Sequence, residues 1–187
     1  MVSIMSLWLP VLLSAVFVFI VSSIIHMVLK YHNSDFSQIP KEAEVMDALR
    51  PFDIKPGNYS VPRAADMKEM SSPGYQEKLK NGPVFMMTVM PNGPIKMGTA
   101  LFQWFMFSII VSILSGYVAG IALGPGAHYM EIFRYVSTVA FVGYTLALWQ
   151  HKIWYYHSTS ATIKSTFDGL IYAFVTAGTF GWLWPSI

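Results

Sequence analysis

The sequence has no cysteine. Disulfides, thiolate metal sites, iron–sulfur clusters and a cysteine nucleophile are therefore excluded. Charge is nearly as scarce: Asp, Glu, Lys and Arg make up 12% of the 187 residues, about half the share of an ordinary globular protein. The formal net charge of +2 is too small to draw nucleic acid, and no basic run with interleaved aromatics is present, so no nucleic-acid partner is expected. The common catalytic signatures are missing too. There is no G-x-S-x-G, no H-E-x-x-H and no Walker A loop. Gly93-Pro94-Ile95-Lys96 is no substitute, because no glycine-rich turn leads into a helix there. No internal repeat is evident.

What the chain has instead is apolar surface. Hydrophobic residues make up 54% and aromatic residues 16% of the sequence, a composition suited to a bundle with aromatic girdles at two interfaces. No ionisable side chain except His26 precedes Lys30, and Leu7 to Leu29 is almost continuously apolar. At about 1.5 Å per residue such a run crosses the roughly 30 Å hydrocarbon core. It lacks a positive leading region and a small-residue cleavage site, so a retained helix is expected. Further runs cover about 97–123, 130–150 and 166–185, ending at Pro185. The expected fold class is all-α integral membrane: a bundle of four transmembrane helices with a small irregular loop domain. Residues 1–29 form the first helix, 30–96 the loop domain and 97–187 the other three helices. The aromatic segment Ile153 to Lys164 is expected to lie along the interface.

The loop 30–96 holds nine of the twelve basic and eight of the ten acidic residues. It is too polar for lipid and too varied for low-complexity disorder. Short helices are expected over Lys41–Arg50 and from Ser72-Pro73 to Lys80, and a strand over Val84–Met90 with a turn at Asn92-Gly93. If both termini face outward, this loop and the one near Ile153–Lys164 share a side carrying eleven Lys and Arg, against Arg134 alone on the other. The positive-inside rule makes that side cytoplasmic.

Small residues recur every fourth position: Ser108, Ser112, Gly116 and Gly120 in the second run, and Ala173, Ala177 and Gly181 in the fourth. Such ladders let helix backbones approach closely. They serve either packing inside this bundle or the docking of another membrane subunit or a second copy.

Histidine is the residue type that points to chemistry. His26, His32, His151 and His157 all fall on the expected cytoplasmic side, with Asp35 three residues after His32. These are ligand types for zinc or iron. Positions six apart lie about 120° apart round a helix, so neither His26 with His32 nor His151 with His157 shares a face. A metal site would need ligands from both hairpins, such as His26 or His32 with His151 and Asp35. A haem b held between His26 and His151 is a variant, and interfacial anchoring is the alternative to both. Asp168 falls in the first turn of the expected fourth helix, four residues after Lys164. There, pairing with Lys164 and the helix dipole would stabilise it. No charge lies at mid-bilayer depth, so ion-coupled transport is not expected.

The stretch His26-Met27-Val28-Leu29-Lys30-Tyr31-His32 with Asp35, and the ending Asp168-Gly169-Leu170-Ile171-Tyr172 through Gly181-Trp182-Leu183-Trp184-Pro185, resemble those of small bacterial inner-membrane proteins. The resemblance covers most of the chain and implies a multi-pass location in a bacterial inner membrane; it carries no activity. Two functions remain open. One is a non-catalytic accessory or assembly subunit of a larger membrane complex. The other is a metal- or haem-binding membrane enzyme built on the histidines at the ends of the first and third helices.

Overall fold

The computed structural model describes residues 1–186. The protein is mostly helical, 69% of it, and among the described residues three helices are long and apolar enough to cross a membrane. The chain forms two compact units. One comprises Met1–Ser37 and the chain from Lys96 onward; the other is Gln38–Ile95. Residues 30–37, expected to belong to the loop domain, thus fold with the helices.

In the helical unit a 3₁₀ turn over Ile4–Leu7 runs into α1, Trp8–Met27. Lys30 then takes a left-handed conformation (φ +54°) and turns the chain into a second 3₁₀ turn, Tyr31–Ser34. The loop unit contains α2 (Glu42–Leu49), β1 (Gly57–Val61), α3 (Met67–Met70), α4 (Pro73–Asn81) and β2 (Phe85–Val89). Ser72 caps α4 through the Tyr75 N–H, with Pro73 in the first turn, where its missing N–H costs nothing. β1 pairs antiparallel with β2, Gly57 opposite Val89 and Val61 opposite Phe85.

The helical unit resumes with α5 (Met97–Ala122), α6 (Tyr129–Tyr155) and α7 (Thr159–Trp182). The separate interfacial segment expected at Ile153–Lys164 does not exist. α6 runs on to Tyr155, and α7 starts at Thr159 rather than Thr166. The reversal between them takes only Tyr156 to Ser158, with Tyr156 left-handed (φ +56°) and the Ser158 hydroxyl capping α7 through the Ala161 N–H. Polar residues such as Lys152 and Lys164 interrupt the apolar pattern, but the helices continue through them, Lys164 being held by hydrogen bonds to the turn after α1.

Two backbone hydrogen bonds and one from a side chain gather one end of this unit. The Val2 N–H donates to the Gly120 carbonyl (2.8 Å), the Gly126 N–H to the Pro185 carbonyl (2.8 Å), and the Trp184 indole N–H to the Gly124 carbonyl (3.0 Å). The first residues, the α5–α6 turn and the chain after α7 are therefore neighbours. α7 runs antiparallel to α6, from one end of the unit to the other.

The small-residue ladders are filled from within the chain. Ser108, Ser112, Ala173 and Ala177 are fully buried. The Ser14 hydroxyl donates to Ser112 Oγ across α1 and α5 (2.9 Å). A Cβ on Gly116 would sit 2.7 Å from the Phe180 ring, one on Gly120 2.6 Å from the Val2 carbonyl, and one on Gly181 2.5 Å from the Tyr129 ring. Around these contacts lie two apolar layers. One is built on Leu7, Ile132, Val136 and Phe180, the other on Val18, Val111, Ala140 and Tyr144.

Candidate metal centre

The second apolar layer ends at a polar cluster formed by α1, the 3₁₀ turn after it, and α7. The left-handed Lys30 is what brings the parts together. A continuous helix would have carried His32 away from His26. Because the chain reverses, the two imidazoles instead stack face to face, with centroids 4.6 Å apart and planes within 5°. The objection that positions six apart cannot share a face is corrected by this break in the helix.

His32 lies between two carboxylates. Its Nδ1 is 2.5 Å from Asp35 Oδ2 and its Nε2 is 2.7 Å from Asp168 Oδ2. A carboxylate only accepts, so both bonds are made when both ring nitrogens carry protons. The other oxygen of Asp168 accepts from the Tyr31 hydroxyl. Lys164 uses all three ammonium hydrogens on the same turn, donating to the Tyr31 carbonyl (2.7 Å), Ser34 Oγ (2.8 Å) and Asp35 Oδ1 (2.8 Å). His26 Nδ1 is 3.0 Å from the Ser22 carbonyl, one helical turn back.

The electrostatics follow from this wiring. Burial works to raise the Asp35 carboxyl, but hydrogen bonds from Lys164 and His32, together with their charges, outweigh it and hold Asp35 below the usual carboxylate range. Burial, the bond to Asp168 and the nearby carboxylate charges push the Tyr31 phenol up, so it stays a proton donor.

Asp168 is not where the sequence pattern put it. α7 begins at Thr159, so Asp168 lies roughly three turns in, and it is 2% exposed. It is out of reach of the helix N-terminal dipole, which acts mainly within the first turn. Lys164 pairs with Asp35 rather than with Asp168. The partners of Asp168 are His32 and Tyr31.

Among the described residues, the group of three whose donor atoms lie within 4.8 Å of one another is His26, His32 and Asp168. Asp35 stands behind His32 instead of beside the other donors. His151 and His157 are brought together with each other, rings 5.4 Å apart at the α6–α7 reversal, but both are exposed and neither joins the group. The expected combination with His151 is therefore not formed; the donor that the second hairpin brings to the group is Asp168 on α7. The haem arrangement gains no support either, since the His26 ring lies flat on His32 and the ring of His151 lies beside Tyr155 and His157.

No protein-family model, curated protein or solved structure matches the chain.

The chemistry of the group thus rests on its geometry. Two imidazoles and one carboxylate are the donors of several zinc enzymes and of the non-haem iron triad. At bond lengths of about 2.1 Å, tetrahedral ligands stand about 3.4 Å apart. The present spacings of 2.7 Å and up to 4.8 Å differ from that by less than about 1.5 Å, within the reach of side-chain rotation. Each ligand also has its second polar atom occupied: His26 on the Ser22 carbonyl, His32 on Asp35, Asp168 on Tyr31. Such outer partners fix the tautomer and aim the remaining nitrogen at a metal. Among the residues involved, the sequence names His26, His32 and Asp35 as ligand candidates. It places Asp168 in the first turn of the fourth helix, stabilised by Lys164 and the helix dipole, and assigns no role to Tyr31 or Ser22. Only the four-residue spacing of Lys164 and Asp168 hinted at their sharing a face.

Proposed function

We propose that this chain is a metal-binding membrane protein in which His26, His32 and Asp168 hold one divalent transition-metal ion, zinc or ferrous iron. The observation that carries the reading is the convergence of three donors from α1, the 3₁₀ turn and α7, each backed by its own outer partner. Titration with Co²⁺, a coloured stand-in for zinc, tests it. The intact chain should develop visible ligand-field bands that saturate at one ion. His32→Ala should abolish them, and a His151→Ala/His157→Ala double variant should leave them unchanged. Bands lost only in the double variant would move the site to the other histidine pair.

The same reading places the chain as a four-helix bundle in a bacterial inner membrane, with the site near the cytoplasmic ends of the helices. α7 was not among the three helices apolar enough to count as spans. Yet its 24 residues amount to about 36 Å, and the contacts of Trp184 and Pro185 with the α5–α6 turn bring its far end to the far end of α6. If α5 and α6 cross, α7 crosses beside them. Its buried acid has partners in His32 and Tyr31, which lowers the cost of membrane burial. Because the chain is cysteine-free, single introduced cysteines report topology directly. A membrane-impermeant maleimide applied from outside to intact cells should label Ser186→Cys and Glu131→Cys but not Lys55→Cys. Protection of Ser186→Cys would mean that α7 does not cross.

A second reading, as an accessory subunit of a membrane complex, has one observation in its favour. The loop unit buries little of its apolar surface: Tyr75 is 9% exposed, but Phe52 is 72%, Met67 76% and Met90 65% exposed. Two paired strands are marginal alone in water, and a partner covering this surface would complete the unit. The transmembrane ladders give this reading little support, because the chain's own residues fill them.

A further inference from the structure

The strongest unassigned feature is Lys164. Its ammonium has three donors and three acceptors, every one of them on the turn that carries His32. It is not itself a metal ligand, and it makes no ion pair with the buried acid on its own helix.

We infer that Lys164 is a positioning residue for the metal centre: it clamps the Tyr31–Asp35 turn onto α7 and, through Asp35, aims His32 Nε2 at the ion. This rests on the metal-binding reading above. The chain of contacts is short. Lys164 Nζ holds Asp35 Oδ1 at 2.8 Å, and the other oxygen of that carboxylate holds His32 Nδ1 at 2.5 Å. With Nδ1 committed to Asp35, Nε2 is the nitrogen left facing Asp168 and His26. The bonds to the Tyr31 carbonyl and Ser34 Oγ fix the turn at two further points, so its position does not depend on Asp35 alone. The turn needs such an anchor because it starts at a left-handed lysine, a conformation that non-glycine residues rarely adopt without support.

A clamp of this kind acts on affinity and leaves the ligand set intact. Removing an outer-shell partner typically weakens metal binding about 10- to 100-fold. Lys164→Met keeps an unbranched side chain one atom shorter and removes all three bonds; Asp35→Asn keeps the shape and removes the anionic acceptor. Each should weaken Co²⁺ and Zn²⁺ binding by about 10- to 100-fold in chelator competition. The Co²⁺ band positions should stay those of the intact chain, because His26, His32 and Asp168 still ligate. Combining the two variants should weaken binding by less than the product of the single effects, since both break the Lys164–Asp35–His32 connection. Thermal unfolding of the metal-free variants provides the control, as a purely structural role would lower stability and leave affinity unchanged. If the intact chain binds Co²⁺ and both variants bind it equally well, the positioning role is wrong and the metal site stands. If the intact chain binds no metal, the metal reading fails and this inference falls with it. Should Lys164→Met not fold, Asp35→Asn and Ser34→Ala read the same clamp from its other side.

Discussion

Replacing Asp168 with asparagine should abolish tight metal binding with little loss of stability, whereas Asp168→Ala should lower both. Asp168 is 2% exposed, accepts from the Tyr31 hydroxyl and faces His32 Nε2 at 2.7 Å. Alanine leaves a half-buried phenol and a half-buried imidazole without their acceptor. A fully buried donor left without its acceptor costs about 1–3 kcal/mol; two half-buried donors lose theirs here, a noticeable part of the roughly 5–15 kcal/mol that holds a typical domain together. Asparagine keeps an oxygen for the phenol, and its amide can donate to a neutral Nε2, so most of that loss is avoided. It cannot supply the anionic oxygen that a divalent ion requires. The expected loss of Zn²⁺ affinity therefore exceeds the roughly 10- to 100-fold typical of an outer partner. Chelator competition, read beside thermal unfolding in the same detergent, separates the two effects. An Asp168→Asn chain that binds zinc as tightly as the intact one would remove Asp168 from the ligand set.

The second large effect lies one residue along. Glycine to alanine inside an exposed helix normally gains about 0.5–1 kcal/mol, so Gly169→Ala would stabilise α7 if its surroundings were open. They are not. A Cβ there would sit 2.3 Å from Thr145 Cγ2 and 3.2 Å from the Tyr144 Cβ. Thr145 cannot rotate away cheaply, since it is fully buried and its hydroxyl donates to the Phe141 carbonyl at 2.6 Å. Overpacking of this kind costs about 1–3 kcal/mol, which outweighs the propensity gain. Gly169→Ala should be destabilised, and its metal affinity should fall, because pushing α7 from α6 shifts Asp168. Thr145→Ser removes the clashing methyl and keeps the hydroxyl bond. The double variant should recover both properties. Gly169→Ala chains as stable as the parent would show that α6 and α7 are further apart than described.

These residues also show where the sequence could be read and where it could not. The long apolar runs announced α1 and α5 to within a few residues, because hydrophobicity alone decides whether a segment can cross lipid. The loop helices at Glu42–Leu49 and Pro73–Asn81 were marked by proline and serine chemistry that acts locally. β1 carried no such mark, since Gly57–Val61 becomes a strand only by pairing with Phe85–Val89. The candidate site failed to show for a similar reason. Whether His26 and His32 meet depends on one backbone angle at Lys30, and a lysine gives no warning of a left-handed turn. Asp168 was read as a first-turn acid because the start of α7 was placed at Thr166. Moving that start to Thr159 turns a dipole-stabilised acid into a buried one in need of partners. Its partners come from residues more than a hundred positions away, which no local spacing can reveal.

Equilibrium dialysis against zinc, with the full chain purified in mild detergent, tests the central claim most directly. The intact protein should retain one zinc per chain, and a His26→Ala/His32→Ala double variant should retain none. Equal zinc in both, or no zinc in the intact chain, would contradict a metal centre at His26, His32 and Asp168.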